Sequence, residues 1–110
     1  MFGKMAEQLF IGRRQNKEKV KKEILEKIAE LAMNYSLVKG DPLKRGAVES
    51  TVYQGLKGRI VVRTCTNLNQ GLAFKPKKGE MSSPYAAIVE VYGFCGSTLA
   101  DDLVAIPQNL

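Results

Sequence analysis

Two arginines on one short segment are the residues of this chain whose type and spacing best support a chemical role. Arg59 and Arg63 lie in GRIVVRTCT, whose β-branched residues predict a strand over 58–66. On a strand they share a face and lie about 13 Å apart, because each residue adds about 3.3 Å. A guanidinium binds phosphate through two parallel hydrogen bonds, so this spacing could span neighbouring phosphates of a nucleic acid.

The surrounding sequence is basic over a long stretch. No acidic residue occurs between Ser50 and Gly79, and the net charge of the 110-residue chain is +6. Three tyrosines on flanking strands could stack on bases, namely Tyr53, Tyr85 and Tyr92. We therefore predict a small non-enzymatic module that binds or associates with DNA or RNA. The predicted contact residues are Lys57, Arg59, Arg63, Lys75, Lys77 and Lys78, together with Arg13 and Arg14 before the first helix.

Arg13 and Arg14 precede the predicted helix, and further basic residues follow in its first turns. We call this segment the basic entry of the helix. Positive charge there opposes the helix dipole at a cost of about 0.3–1 kcal/mol per charge, which a bound anion would offset. The alternative is a solvated face whose lysines are balanced by Glu18, Glu23 and Glu26. The strand arginines have a similar alternative, which is cross-strand pairing with Glu49 or Glu90 on a solvated sheet face.

The charge pattern also supports a second class of function. After Lys78 the chain contains no base, and its acids are Glu80, Glu90, Asp101 and Asp102. The basic middle of one copy could meet the acidic end of the next, or the free side of the amphipathic helix 17–38 could bury against another chain. An assembly subunit, homo-oligomeric or hetero-oligomeric, is thus the alternative, and a viral or mobile-element accessory protein would fit either interpretation.

The remaining reactive residues give weak support to catalysis. The chain has no histidine, which excludes Ser-His and Cys-His pairs and imidazole metal ligands. Cys65 and Cys95 are interpreted as reduced, buried thiols, and the adjacent pair Asp101-Asp102 lacks a third carboxylate for Mg²⁺. We predict no cofactor and no metal, and a ribonuclease that uses Arg, Lys and Tyr alone stays open as the enzymatic alternative.

The elements that position these residues are one long helix and several strands. Residues Val20, Ile24, Ile28, Leu31 and Tyr35 recur at helical spacing and predict a helix over 17–38, which ends before Gly40-Asp41-Pro42. About five short strands follow, at 47–54, 58–66, 72–75, 85–94 and 103–106. Since no helices alternate with them, antiparallel pairing is expected.

These elements predict an α+β fold in which an N-terminal amphipathic helix precedes a curled antiparallel sheet or small barrel. Residues 1–16 are expected to be an arm that forms a short helix or is mobile, and residues 17–110 a single domain. No apolar leader or membrane-length apolar run is present, so we expect a cytoplasmic protein with no membrane partner.

Overall fold

The fold combines one antiparallel sheet with two helices, which confirms the predicted α+β class. The computed structural model describes residues 4–15, 17–66, 72–73, 84–94 and 98–109. In chain order the elements are β1 (Glu7–Arg13), α1 (Glu18–Asn34), β2 (Val38–Lys39), β3 (Leu43–Arg45), β4 (Val48–Gln54), β5 (Gly58–Cys65), β6 (Leu72–Ala73), β7 (Pro84–Gly93), α2 (Leu99–Ala105) and a 3-10 turn (Ile106–Asn109).

The seven strands of the described ranges form one open sheet. Its main order is β1-β7-β5-β4-β2, while β3 also pairs with β4 and β6 with β7. Every pairing is antiparallel, as predicted. The sheet does not close, because β1 and the two-residue β2 lie at opposite ends of the path. Of the two predicted forms, a curled sheet or a small barrel, the barrel is therefore wrong.

The first element is a strand, so the predicted order with an N-terminal helix is wrong. β1 pairs along its length with β7, with Leu9 opposite Val89 and Ile11 opposite Ala87. Leu9 and Ile11 are buried, so the strand contributes alternate side chains to the core. The short helix expected within residues 1–16 is absent from the described residues of that segment, because pairing with β7 outweighs the weak local helical pattern.

Most of the helix predicted over 17–38 is confirmed as α1, which ends four residues before position 38. Ile24, Ile28 and Ala32 are buried, which is the face expected from the spacing. The helix ends at Asn34, with Tyr35 as its C-cap, and the next residue, Ser36, adopts a left-handed φ of 61°. The chain then reverses, Leu37 is buried, and Val38 begins β2.

The strand predicted at 103–106 is wrong, because this segment belongs to α2 and the 3-10 turn that follows it. Leu99 and Leu103 are four residues apart on one face of the helix, and both are fully buried. Ile106 extends the same buried face into the turn. The sequence contains this helical spacing, but the continuous apolar residues at 103–106 are equally typical of a short strand.

The two faces of the sheet have different surroundings. Both helices contribute to a single core with alternate strand residues, which include Leu9, Ile11, Tyr53, Ile60, Val62, Val89 and Val91. The opposite, outer face carries Phe10, Val52, Arg59, Val61, Arg63, Ile88, Glu90 and Tyr92. Neither α1 nor α2 packs on this outer face.

The helices of the described ranges are too short or too polar to span a bilayer.

Candidate functional site on the outer sheet face

The outer face places both strand arginines in the centre of the sheet. Arg59 and Arg63 lie on β5, which is flanked by β4 on one side and β7 on the other. Arg63 lies opposite Ser50 on β4 and Ile88 on β7, whereas Arg59 lies opposite Gln54 and Tyr92. The prediction that the two arginines share one face is therefore confirmed by the register.

Arg63 is held by a neighbouring carboxylate. Its Nε and Nη2 donate to Oε1 of Glu90 at 3.1 and 2.8 Å, and its Nη1 donates to Oγ of Ser50 at 3.0 Å. The Glu90 side chain is only 14% exposed, so water screens this ion pair less than a surface pair. The cross-strand alternative is thus the arrangement found for Arg63, and its charge is compensated locally.

Arg59 instead lies over an aromatic ring. Its Cζ atom is 4.4 Å from the ring centroid of Tyr92, its direct cross-strand neighbour. Such a cation–π contact contributes about 0.5–1 kcal/mol at an exposed site and more where water is excluded. Within the described residues, the buried Nε of Arg59 has no hydrogen-bond partner. The guanidinium is therefore positioned by stacking, and no carboxylate of the described residues pairs with it.

The other predicted contact residues are spread along the sheet. Lys57 is exposed in the β4–β5 turn, where it lines a surface groove with Tyr35 and Ser36 at the end of α1. Arg13 and Arg14 are exposed at the far end of β1, where Arg13 lies opposite Tyr85. Tyr85 and Tyr92 are seven positions apart on β7, or about 23 Å. Lys75, Lys77 and Lys78 lie outside the described residues. The described cations thus form a strip rather than a compact cluster.

Aromatic side chains occur at both ends of this strip. Phe10 and Tyr85 are in ring contact, with centroids 5.2 Å apart, and Tyr92 lies beneath Arg59 at the other end. Tyr53, in contrast, points to the core and is only 7% exposed. The expectation that Tyr53 stacks on bases is wrong, because the register of β4 turns it towards α1.

The basic entry of α1 contains a lysine whose position the sequence analysis missed. Lys21 is fully buried, and its Nζ donates to the backbone carbonyl of Cys65 at 2.7 Å. Burial lowers the pKa of Lys21, although Cys65 and Glu49 partly oppose this effect. The signal was available, since Lys21 lies three residues before Ile24, on the buried face of the helix.

Several other charged side chains of the two helices have ordinary local partners. Lys22 pairs with Glu18 at 3.3 Å, which is one of the i,i+4 pairs expected for a solvated face. Asp102 accepts a hydrogen bond from the Tyr35 hydroxyl at 2.8 Å and so connects α2 to the end of α1. The described residues contain no group of three acids or thiols placed for a metal ion. Cys65 is buried and is in no disulfide with a described residue, and Cys95 lies outside the described ranges.

Comparison with known proteins gives no further indication of function. The chain matches no family profile, and neither the curated proteins nor the solved structures contain a significant match to it. The chemistry of the outer face is thus the basis for a functional interpretation. It offers a cation stacked on a ring, a neutralised Arg–Glu pair and an aromatic pair at the far end.

Proposed function

We propose that the outer sheet face binds single-stranded nucleic acid, with the stacked pair of Arg59 and Tyr92 as its principal contact. The observation that carries this proposal is the guanidinium 4.4 Å above the ring, on the face that neither helix covers. One side of the guanidinium plane rests on Tyr92. Its other side can stack on a base, and its amino groups can reach a phosphate.

The electrostatics favour Arg59 over Arg63 as the phosphate contact. Glu90 neutralises Arg63, so moving Arg63 to a phosphate would leave a mostly buried carboxylate without its partner. Arg59 has no such competitor in the described part of the chain. The net charge of +6 supplies the long-range attraction that brings a polyanion to this face.

Fluorescence anisotropy with labelled single-stranded RNA and DNA oligonucleotides tests this proposal. We expect binding that weakens with salt, with a log–log slope of several units. Tyr92→Ala and Arg59→Ala are each expected to weaken binding by about tenfold or more, because base stacking contributes roughly 1–3 kcal/mol per base. Arg63→Gln is expected to have a smaller effect, since that charge is already compensated.

A matched control is available on the helix side of the molecule. Lys27 is an exposed cation of α1 that pairs with Glu30 at 3.6 Å, so Lys27→Ala changes the net charge as Arg59→Ala does. It should reduce affinity much less than Tyr92→Ala. The proposal fails if no oligonucleotide binds at low salt, or if Lys27→Ala weakens binding as much as Tyr92→Ala does.

Self-assembly through the sheet edge is a second proposal, supported by a separate observation. Val38 on β2 and Leu43 on β3 are 73% and 54% exposed, on strands at one edge of the sheet. An edge strand with exposed apolar side chains favours pairing with another chain. The net positive charge opposes close approach of two copies, so association would strengthen as salt screens it.

Sedimentation equilibrium over a range of protein concentrations tests the assembly proposal. We expect concentration-dependent association that Val38→Lys and Leu43→Lys abolish, because a charge on the edge blocks pairing. Met33→Lys is the control, since Met33 is 74% exposed on α1, away from the edge. A strict monomer at high concentration and both low and high salt would exclude this function.

A further inference from the structure

The ion pair of Arg63 and Glu90 leaves one carboxylate oxygen of Glu90 available. Both hydrogen bonds from Arg63 end on Oε1, at 3.1 and 2.8 Å, and Oε2 accepts none from the described residues. Within those residues, Nε of Arg59 is the one buried side-chain nitrogen or oxygen without a partner, so Oε2 of Glu90 is open to the surface. The outer face therefore presents an acceptor near its centre.

This acceptor is held in a defined position. Arg63 also donates to Oγ of Ser50 at 3.0 Å, so side chains from the adjacent strands β4, β5 and β7 together orient the Glu90 carboxylate. The Glu90 side chain is 14% exposed, and Oε2 belongs to the part that meets solvent. A carboxylate oxygen only accepts hydrogen bonds, so a ligand edge that meets Oε2 must bring donors.

The acceptor lies beside the stacked pair of Arg59 and Tyr92. Glu90 and Tyr92 are two residues apart on β7, so they share the outer face at a spacing of about 7 Å. Gln8 of β1 lies directly opposite Glu90 and is exposed on the same face. A base next to the one stacked on Arg59 can therefore turn its edge towards a carboxylate oxygen and an amide.

The Watson–Crick edges of the bases differ in how they meet these two groups. Guanine presents two adjacent donors, N1–H and the N2 amino group, with the O6 acceptor beside them. Adenine and cytosine present one amino donor next to an accepting ring nitrogen, and thymine and uracil present one N–H between two carbonyls. Acceptors that face a carboxylate repel it, which penalises every base except guanine.

We propose that the outer face prefers guanine at the position next to the stacked base, with Glu90 as the specificity-determining residue. This inference rests on the proposed binding of single-stranded nucleic acid to the same face. Oε2 of Glu90 accepts hydrogen bonds from N1–H and the N2 amino group, and the Gln8 amide donates to O6. Hydrogen bonds to a charged acceptor are stronger than those between neutral groups, so a mismatched edge is rejected.

Anisotropy titrations with a family of short oligothymidylates test this preference on the unaltered protein. The central base is guanine, hypoxanthine, adenine or thymine, and the rest of the oligonucleotide is constant. We expect guanine to bind roughly tenfold more tightly than adenine or thymine, which lies within the discrimination of a good bidentate base contact. Hypoxanthine lacks the N2 amino group but keeps N1–H and O6, so its affinity should be intermediate.

The variant Glu90→Gln separates base recognition from charge. It removes the charge that compensates Arg63, so the all-thymine oligonucleotide should bind severalfold more tightly, with a salt slope steeper by about one unit. The guanine preference should fall below roughly twofold, because an amide no longer offers a charged acceptor. A purely structural role of Glu90 would instead lower the affinity for all four oligonucleotides alike.

Two further variants complete the test. Glu49→Gln is the matched control, since it removes the same charge from the helix side of the sheet, where Glu49 pairs with Lys44 at 3.8 Å. It should keep the guanine preference. Gln8→Ala changes an exposed side chain and spares the fold, and it should weaken guanine and hypoxanthine binding roughly threefold while leaving adenine and thymine unchanged.

The outcomes distinguish this inference from the proposed function on which it rests. Equal affinity for the four central bases would overturn the inference and leave the binding of single strands intact. A guanine preference that persists in both Glu90→Gln and Gln8→Ala would also overturn it, because the edge would then be recognised elsewhere. If no oligonucleotide binds at low salt, the proposed function and the guanine preference fail together.

Discussion

Truncation of the buried lysine, Lys21→Ala, is expected to lower the free energy of unfolding by about 3 kcal/mol. The side chain is fully buried, and shortening a buried side chain of this length leaves a cavity that costs about 2–5 kcal/mol. It also removes the hydrogen bond to the carbonyl of Cys65, which is 2.7 Å from Nζ. Urea denaturation monitored by circular dichroism measures the loss.

Lys21 can donate to the carbonyl of Cys65 because β5 and β7 are no longer paired at this end of β5. Their pairing ends at Arg63 and Ile88, so the backbone of Cys65, two residues beyond, needs a different partner. Lys21 reaches that carbonyl from α1. Lys21→Met keeps most of the volume and removes the buried charge, so it should cost clearly less than Lys21→Ala. Lys22→Ala, at an exposed position of the same helix, should change stability by no more than about 0.5 kcal/mol.

The buried lysine also predicts a pH dependence of defined sign. Burial lowers the pKa of Lys21 in the folded state below its unfolded value near 10.5. Between these two pKa values, Lys21 is protonated in the unfolded chain and has lost its proton in the folded chain. The contribution of Lys21 to the free energy of unfolding therefore rises with pH from its folded pKa up to about 10.5. Lys21→Met should lack this rise. Parallel pH profiles for wild type and Lys21→Met would contradict the assignment.

Local sequence patterns identified the parts of the candidate site that depend on a single element. The alternation along 58–66 placed Arg59 and Arg63 on one face, and the helical spacing after Val20 located the buried stripe of α1. Both features need only the repeat of one element. The chain itself therefore indicated which side chains could act together on β5.

Features that depend on strand register could not be predicted in the same way. The sequence offered pairing of the strand arginines with Glu49 or Glu90 as an alternative, but choosing Glu90 for Arg63 requires the alignment of β5 with β7, which are separated by about twenty residues of chain. The burial of Tyr53 depends on which face of β4 meets α1, and a shift of one residue would reverse it. β1 became a strand because β7 supplied a partner, and that partner lies at the opposite end of the sequence.

Replacement of one strand glycine, Gly58→Ala, is expected to destabilise the protein by about 3 kcal/mol. Gly58 is buried at the start of β5, opposite Gly93. An added Cβ would overlap the backbone carbonyl oxygen of Tyr92 and would lie 2.7 Å from Cδ2 of Phe94. Overpacking of this kind typically costs about 1–3 kcal/mol. We expect Gly58→Ala to lie at the upper end of this range, because the clash is with a backbone atom, which cannot rotate away as a side chain can. Urea denaturation measures the change.

Gly46→Ala is the matched control, because that glycine lies in a turn with open space around its Cα. No atom of the described residues lies within 4 Å of the added Cβ, and the cost comes only from its left-handed φ of 59°. That strain is roughly 1–2 kcal/mol, so Gly58→Ala should be the more damaging change. Since the Gly58 clash moves β7 at Tyr92, it should also weaken oligonucleotide binding, which Gly46→Ala should preserve. Equal destabilisation by the two variants would mean that β7 can move aside, and that the stacked pair of Arg59 and Tyr92 is not held by a close approach of the two strands.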